Sequence, residues 1–324
     1  MVVAALAWSG GPAGAVAPGA NGKIAFESTR DGNREVYVMN PDGTGQTNLT
    51  NDPAADGDPS WSSSGTKLAF ESDRSGDSEV YAMNADGSAV TRLTSSPGED
   101  RGTSWSPDDG QIVFHSRRDG NFEVYVMDAD GAGQTNLTQD PAFDAAADLS
   151  PDGDRIAFNS DRDGNFEVYV MDADGAGPTR LTEDDALDSG PTWSPDGTRI
   201  AFNSMRDGNF EVYVMDADGT GLTRLTVDPA FDAFTAWSPD GTRIAFSSNR
   251  EGGDFEVWVM DADGAGPTRL TTTPGFDLRA HWQRRTPVAK DECKDGGWRA
   301  FNSPTSTRFP NQGACIRFVN TGKG

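Results

Sequence analysis

Six aspartates, Asp56, Asp100, Asp144, Asp188, Asp232 and Asp277, each stand five residues before Trp61, Trp105, Leu149, Trp193, Trp237 and Trp282 in turn. Like carboxylates gathered at one site repel one another, which raises their proton affinity or recruits a cation. Oxygen ligands of this kind suit Ca²⁺. Two readings follow: the six hold Ca²⁺ or a basic group of a partner, or each bonds backbone N–H groups of its own loop in a repeated structural role. A second set is apolar. Phe143, Leu187, Phe231 and Phe276 directly precede four of the aspartates, and Phe122, Phe166, Phe210 and Phe255 recur upstream of them. In the remaining two copies these positions are Ala55 and Glu99, and Arg34 and Ser78. An aromatic arc of this kind is either an exposed docking surface rimmed by polar groups or a set of rings packed on neighbouring loops.

Other chemistry is thinner. Arg30 and Glu35, Arg74 and Glu79, Arg118 and Glu123, Arg162 and Glu167, Arg206 and Glu211, and Arg250 and Glu256 flank a turn each. They are expected to form cross-strand ion pairs. Asp216-Ala-Asp218-Gly219 resembles the opening of a calcium loop, but Val227 stands where an EF-hand requires Glu. His115 and His281 are the only histidines, far apart, with no Gly-x-Ser-x-Gly elbow to serve. No catalytic residue is assigned.

The elements that carry these residues are set by a repeat. An Ile/Leu-Ala/Val-Phe tripeptide recurs at Ile24, Leu68, Ile112, Ile156, Ile200 and Ile244, a constant spacing of 44 residues. That is the length of one four-stranded propeller blade. In the unit from Trp193 to Thr226, strand a ends near Trp193, b is Arg199–Ser204, c is Phe210–Asp216 and d is Leu222–Thr226, with Asp-Gly pairs at the turns. Val212 and Val214 face one way, Tyr213 and Met215 the other; Ile200 and Phe202 lie opposite Ala201. Both faces are apolar, so each sheet must be covered on both sides by its neighbours. The predicted fold is an all-β, six-bladed β-propeller. The first unit lacks a strand a and the last is followed by Ala280-His281-Trp282, so the strand at Trp282 is expected to pair with the first blade, near Phe26, and close the ring. Strand a is innermost, which places the six aspartates around one mouth of the central channel.

The organisation read from the chain is a signal-like segment at 1–21, the propeller at 22–285 and an extension at 286–324. Met1 to Trp8 followed by Ala15-Val16-Ala17 has the layout of an export signal without its basic region. Cys293 and Cys315, the only cysteines, are expected to form one disulfide in an exported protein. A formal net charge of −24 disfavours nucleic acid or anionic membrane as partner. No run of 18 apolar residues is present, so no segment spans a membrane as a helix.

The repeat Trp-Ser-Pro-Asp-Gly-x-Arg-Ile-Ala-Phe, Arg-Asp-Gly-Asn-x-Glu-Val-Tyr-Val-Met-Asp and Arg-Leu-Thr resembles the WD40-like PD40 repeat of the TolB propellers over residues 22–285. The resemblance implies an exported binding protein, since TolB is periplasmic and its propeller docks the lipoprotein Pal and receives colicins. The α/β domain that precedes the TolB propeller has no counterpart expected here. The tail from Lys290 to Phe318 is similar to a two-cysteine segment found at the C-terminus of assorted bacterial secreted proteins. Taken together, the expected function is a secreted or periplasmic, monomeric, non-enzymatic propeller that binds a protein or peptide at the channel mouth. The enzymatic alternative is a calcium-dependent propeller hydrolase or lactonase, which places carboxylates around a metal at that mouth.

Overall fold

The computed structural model describes residues 20–285 together with Gln312 and Cys315. The signal-like stretch before residue 20, Cys293 and the rest of the extension lie outside the described residues, and with them the expected Cys293–Cys315 bridge. Among the described residues, twenty-four strands form six four-stranded antiparallel sheets, whose inner strands touch in cyclic order. In blade 5, strand a is Asp188–Trp193, b Arg199–Ser204, c Glu211–Asp216 and d Thr223–Arg224. Phe210 thus belongs to the b–c turn, and d is shorter than expected because only Tyr213 and Val214 find partners on it. Among the described residues no helix is long and apolar enough to cross a membrane.

The two apolar faces of each blade behave as the alternation demands. Ala157, Val168 and Val170 of blade 4 pack with Trp193, Ile200, Phe202, Tyr213 and Met215 of blade 5. The next interface repeats this with Ala201, Val212 and Val214 against Trp237, Ile244, Phe246, Trp258 and Met260. Each interface therefore seats small residues of one blade against large ones of the next, at about 1.5–3 kcal/mol per large side chain removed from water. Leu149 fills the tryptophan position of blade 4.

Blade 1 is assembled from both ends of the described chain, as expected. Its strand a, Asp277–Arg285, pairs with strand b, Ala20–Ser28, with Ile24 opposite Trp282 and Ala25 opposite His281. Strand b starts at Ala20, inside the segment expected to be a tail, because Ala20 and Asn21 pair with Arg285 and Arg284. Trp282 is fully buried in one cluster with Phe26.

A feature that the repeat does not announce lies on the channel wall. The third residue of every strand a has positive φ: Asp58, Gly102, Ala146, Gly190, Phe234 and Arg279. The ladder to strand b slips at the same place, as a bulge requires. Four of these residues are not glycine, each costing roughly 1–2 kcal/mol. Beyond the bulge a polar belt joins neighbouring inner strands. Ser60 meets Thr103 at 2.6 Å, Ser104 donates to Asp148 at 3.1 Å, Trp193 N donates to Asp148 at 2.7 Å and Trp61 N to His281 Nδ1 at 3.0 Å.

Candidate functional site

Each of the six aspartates opens a strand a and is fully buried. None forms an open carboxylate ring. Instead the arginine of the same blade's b–c turn folds back over strand a, so that Arg30 meets Asp277, Arg74 Asp56, Arg118 Asp100, Arg162 Asp144, Arg206 Asp188 and Arg250 Asp232 at 2.7–2.9 Å. In blade 5 the Arg206 Nε also donates to Ser204 Oγ at 2.8 Å, and the guanidinium lies 4.9 Å from the Tyr213 ring centroid. Two expectations are corrected together: the arginines pair with these aspartates rather than with Glu35, Glu79, Glu123, Glu167, Glu211 and Glu256, and the aspartates are held by guanidinium rather than by loop N–H groups. The glutamates turn to strand d, where Arg180 donates to Glu167 at 2.6 Å and Arg224 to Glu211 at 2.7 Å. Burial pushes Asp144 and Asp188 up to about 6 against the opposing pull of Ser160 and Arg162, and of Ser204 and Arg206. Among the described residues, no group of three or more His, Cys, Asp or Glu is placed to hold a metal ion.

The phenylalanines are packed on one another rather than displayed. Ring centroids run 4.9 Å from Phe122 to Phe143 and 5.4 Å on to Phe166. A second run links Phe210 to Phe231 at 4.7 Å, Phe231 to Phe255 at 5.2 Å and Phe255 to Phe276 at 6.0 Å. Phe122, Phe166, Phe210, Phe231 and Phe255 are buried, while Phe143, Leu187 and Phe276 are half-buried. Of the two readings of the arc, packing on neighbouring loops describes these rings: they form an aromatic seal that locks loops of blades 3 to 6 and the entry to strand a of blade 1.

Where the seal is missing the mouth carries charge. Arg34, in the phenylalanine column of blade 1, reaches Glu71 at 2.8 Å and Glu27 at 3.8 Å. Arg101 lies 3.3 Å from Glu99, the substituted rim residue of blade 3's entry loop, and 3.8 Å from Glu71. Below them the bulge residue Arg279 approaches Glu27 at 3.5 Å and Asp58 at 3.9 Å, with its guanidinium 4.3 Å from the Phe234 ring centroid. Glu27, Glu71, Asp58 and Arg279 are buried. The side chains of Arg34, Arg101 and Glu99 retain 27%, 19% and 39% of their exposure, so they form the solvent-facing layer.

His115 completes the sector. It occupies the strand-b position held by Glu27 and Glu71 in blades 1 and 2, and by Asn159, Asn203 and Ser247 in blades 4 to 6. Burial, with Arg101 and Arg279 nearby, pushes its imidazole down to about 3, so it is neutral across the physiological range. His281 is engaged by the Trp61 N–H in the polar belt. Arg34, Glu99 and the two histidines stood out in the sequence, whereas Glu27, Asp58, Glu71, Arg101 and Arg279 did not. The signal was present as one column of the repeat, next to a serine found in all six blades, in which residue type changes from blade to blade.

The arrangement can recognise an ionic or hydrogen-bonding partner at one side of the mouth. The PD40 model, the TolB beta propeller domain, matches residues 9–103, 94–189 and 185–288. No curated protein sequence matches the chain. TolB from Acinetobacter baumannii superposes with a TM-score of 0.73 at 24% identity, covering 82% of this chain and 67% of that one. Hydrazine synthase of Kuenenia stuttgartiensis gives 0.69 at 17% identity over 83% of this chain and 47% of that one. A puromycin hydrolase gives 0.57 at 20% identity over 82% and 46%. At these identities the structural likenesses show the fold alone. With three consecutive matches to the family model across all six blades, the chain belongs to the TolB β-propeller family.

Proposed function

We propose that this protein is a non-enzymatic binding propeller of the cell envelope that takes a protein or peptide partner at the mouth formed by the b–c and d–a loops. The contact falls in the charged sector of blades 1 to 3, with Arg34, Glu99 and Arg101 outermost. The observation that carries this reading is the break in the rim. Eight apolar rim positions are sealed against one another, whereas their counterparts include Arg34 and Glu99, joined to a network that no other blade repeats. What all blades share maintains the ring; what one sector alone carries is free to specify a partner. Alternating charge of this kind favours steering and orientation over bulk affinity. Family membership supports the envelope location and the protein partner.

The test is selection of peptides from a random library on the full chain, followed by charge reversal. Binders are expected to be lost on Arg34→Glu or Glu99→Arg and kept on Asp130→Ala in an exposed c–d turn on the opposite face. Peptides that tolerate both reversals, or none selected above background, would overturn the reading. Esterase or lactonase turnover, with or without Ca²⁺, would overturn its non-enzymatic part.

A further inference from the structure

Four blades carry an arginine in strand d, Arg92, Arg180, Arg224 and Arg269, where blades 1 and 3 carry Asn48 and Asn136. The ladders fix the equivalence: Tyr213 stands opposite Arg224 as Tyr125 stands opposite Asn136. In blade 5 the Arg224 guanidinium rests in a three-sided cradle. Its Nε donates to Thr226 O at 2.7 Å, one terminal nitrogen lies 2.7 Å from Glu211 and the other 3.1 Å from Asp207. Arg180 of blade 4 repeats all three contacts, with Thr182 O and Glu167 at 2.6 Å and Asp163 at 3.5 Å. Each nitrogen thus has its own acceptor, a pattern that suits a planar guanidinium better than a compact ammonium.

Blade 3 keeps the cradle and lacks the arginine. Asp119 is held by the Tyr125 hydroxyl as Asp207 is by Tyr213, and Glu123 accepts from Asn121 and Thr138 as Glu211 does from Asn209 and Thr226. The Asn136 side chain is too short to take the arginine's place. Its Oδ1 accepts from Thr138 N and Gln139 N at 3.1 and 3.2 Å, and its Nδ2 donates to Asp119 at 3.3 Å. The turn arginine, Arg118, is committed to Asp100 and Gln134, and among the described residues neither Glu123 nor Asp119 is in an ion pair. Glu123 is buried, so a charge that blades 4 and 5 neutralise with guanidinium is held in blade 3 by hydrogen bonds alone. A recess of about 490 Å³ opens at this point, bordered by Asp119, Asn121, Glu123, Asn136, Gln139 and Asp140 among others. Blade 1 repeats the arrangement, with Asp31 held by Tyr37, Glu35 by Asn33 and Thr50, and Asn48 turned back on Thr50 N and Asn51 N. Both slots open on the face of the b–c and d–a loops, on either side of blade 2.

We propose that the blade 3 slot, and its copy in blade 1, binds an arginine side chain supplied from outside the chain. That the arginine belongs to a bound protein or peptide rests on the function proposed above; the chemistry of the slot does not. Heteronuclear NMR of the full chain, titrated with N-acetyl-arginine amide and with N-acetyl-lysine amide, tests it. Backbone amide signals of Asn136, Gln139 and Asp140 are expected to shift, with the arginine amide bound in the millimolar range and about tenfold more tightly than the lysine amide. Asn136→Arg, which restores the side chain of the sister blades, is expected to abolish the blade 3 response and spare that of Asn48 and Asn51. Asp119→Asn, in an exposed turn, is expected to weaken it several-fold. Absent shifts, equal binding of the two amides, or a blade 3 response unchanged in both variants would overturn the proposal, as would library-selected peptides that lack arginine. An empty library selection would count against the partner reading alone, because the titration uses a free amino-acid derivative.

Discussion

Replacing Arg162 by Gln strips a buried carboxylate of its cation, and the consequences can be worked out in sign and size. Asp144 is enclosed, accepts from Arg162 at 2.9 Å, and ionises near 6 because burial outweighs the pull of Ser160 and Arg162. In the unfolded chain an aspartate ionises near 3.8. Between those values the folded protein holds a proton that the unfolded chain has released. The stabilisation linked to Asp144 is therefore full below about pH 4 and is lost as pH rises through about 6. At about 1.4 kcal/mol per pH unit, the swing is roughly 3 kcal/mol. Asp144→Asn removes this titration while keeping the shape. Urea unfolding of both proteins from about pH 4 to pH 8 should show the parent losing roughly 3 kcal/mol relative to Asp144→Asn as pH rises. Arg162→Gln leaves the charge uncompensated and is expected to cost about 3–5 kcal/mol at about pH 8. Much of that should return near pH 5, where the carboxyl protonates, and in the double variant with Asp144→Asn. A difference between parent and Asp144→Asn that is flat, or that grows with falling pH in the opposite sense, would refute the reasoning. So would an Arg162→Gln cost that ignores pH.

The remaining expectations are simpler. Ala146→Gly relieves a left-handed residue on the channel wall and should stabilise by about 1 kcal/mol, whereas Ala147→Gly, the adjacent buried residue outside the left-handed region, should destabilise; thermal melts of the pair check this. Trp282→Ala opens a void at the ring closure and should cost about 3–5 kcal/mol by urea unfolding. Millimolar CaCl₂ should leave the melting temperature unchanged, because each mouth aspartate is already matched by guanidinium; an upward shift abolished by Asp188→Asn would point back to a cation at these carboxylates.

The blades, the facing of Val212 against Tyr213 and the pairing of the Trp282 strand with the first unit were legible because they depend only on period and alternation. The partner of each arginine was not. Glu211 lies five residues from Arg206 and Asp188 lies 18 away, so chain proximity favours the wrong carboxylate. In the folded blade strand a flanks b on the side away from c, and the turn arginine folds toward it. The charged sector was visible as missing phenylalanines and as the variable column that runs through Glu27, Glu71 and His115. Its deeper members, Glu27, Glu71 and Arg279, come from strands whose adjacency exists only in the ring. The bulges left little trace: only Gly102 and Gly190 of the six residues are glycine, and Asp58, Ala146, Phe234 and Arg279 have no common preference for positive φ.

Blade 1 also dictates an order of events during synthesis. Lys23 N and the Gln283 side chain, hydrogen-bonded at 3.1 Å, are 260 positions apart. Closing a loop of that length rather than one of about 16 residues costs roughly 2.4 kcal/mol more, four doublings at about 0.6 each. The penalty is modest, but the wait is not. Strand b of the first blade leaves the ribosome before the other strands of the propeller and has no inner neighbour until the Asp277–Arg285 strand emerges. Throughout elongation the nascent chain therefore presents an open edge from Ala20 to Ser28, the segment through which two unfinished copies would join. A chaperone that shields that edge would act on the earliest strand of the propeller until the latest one arrives.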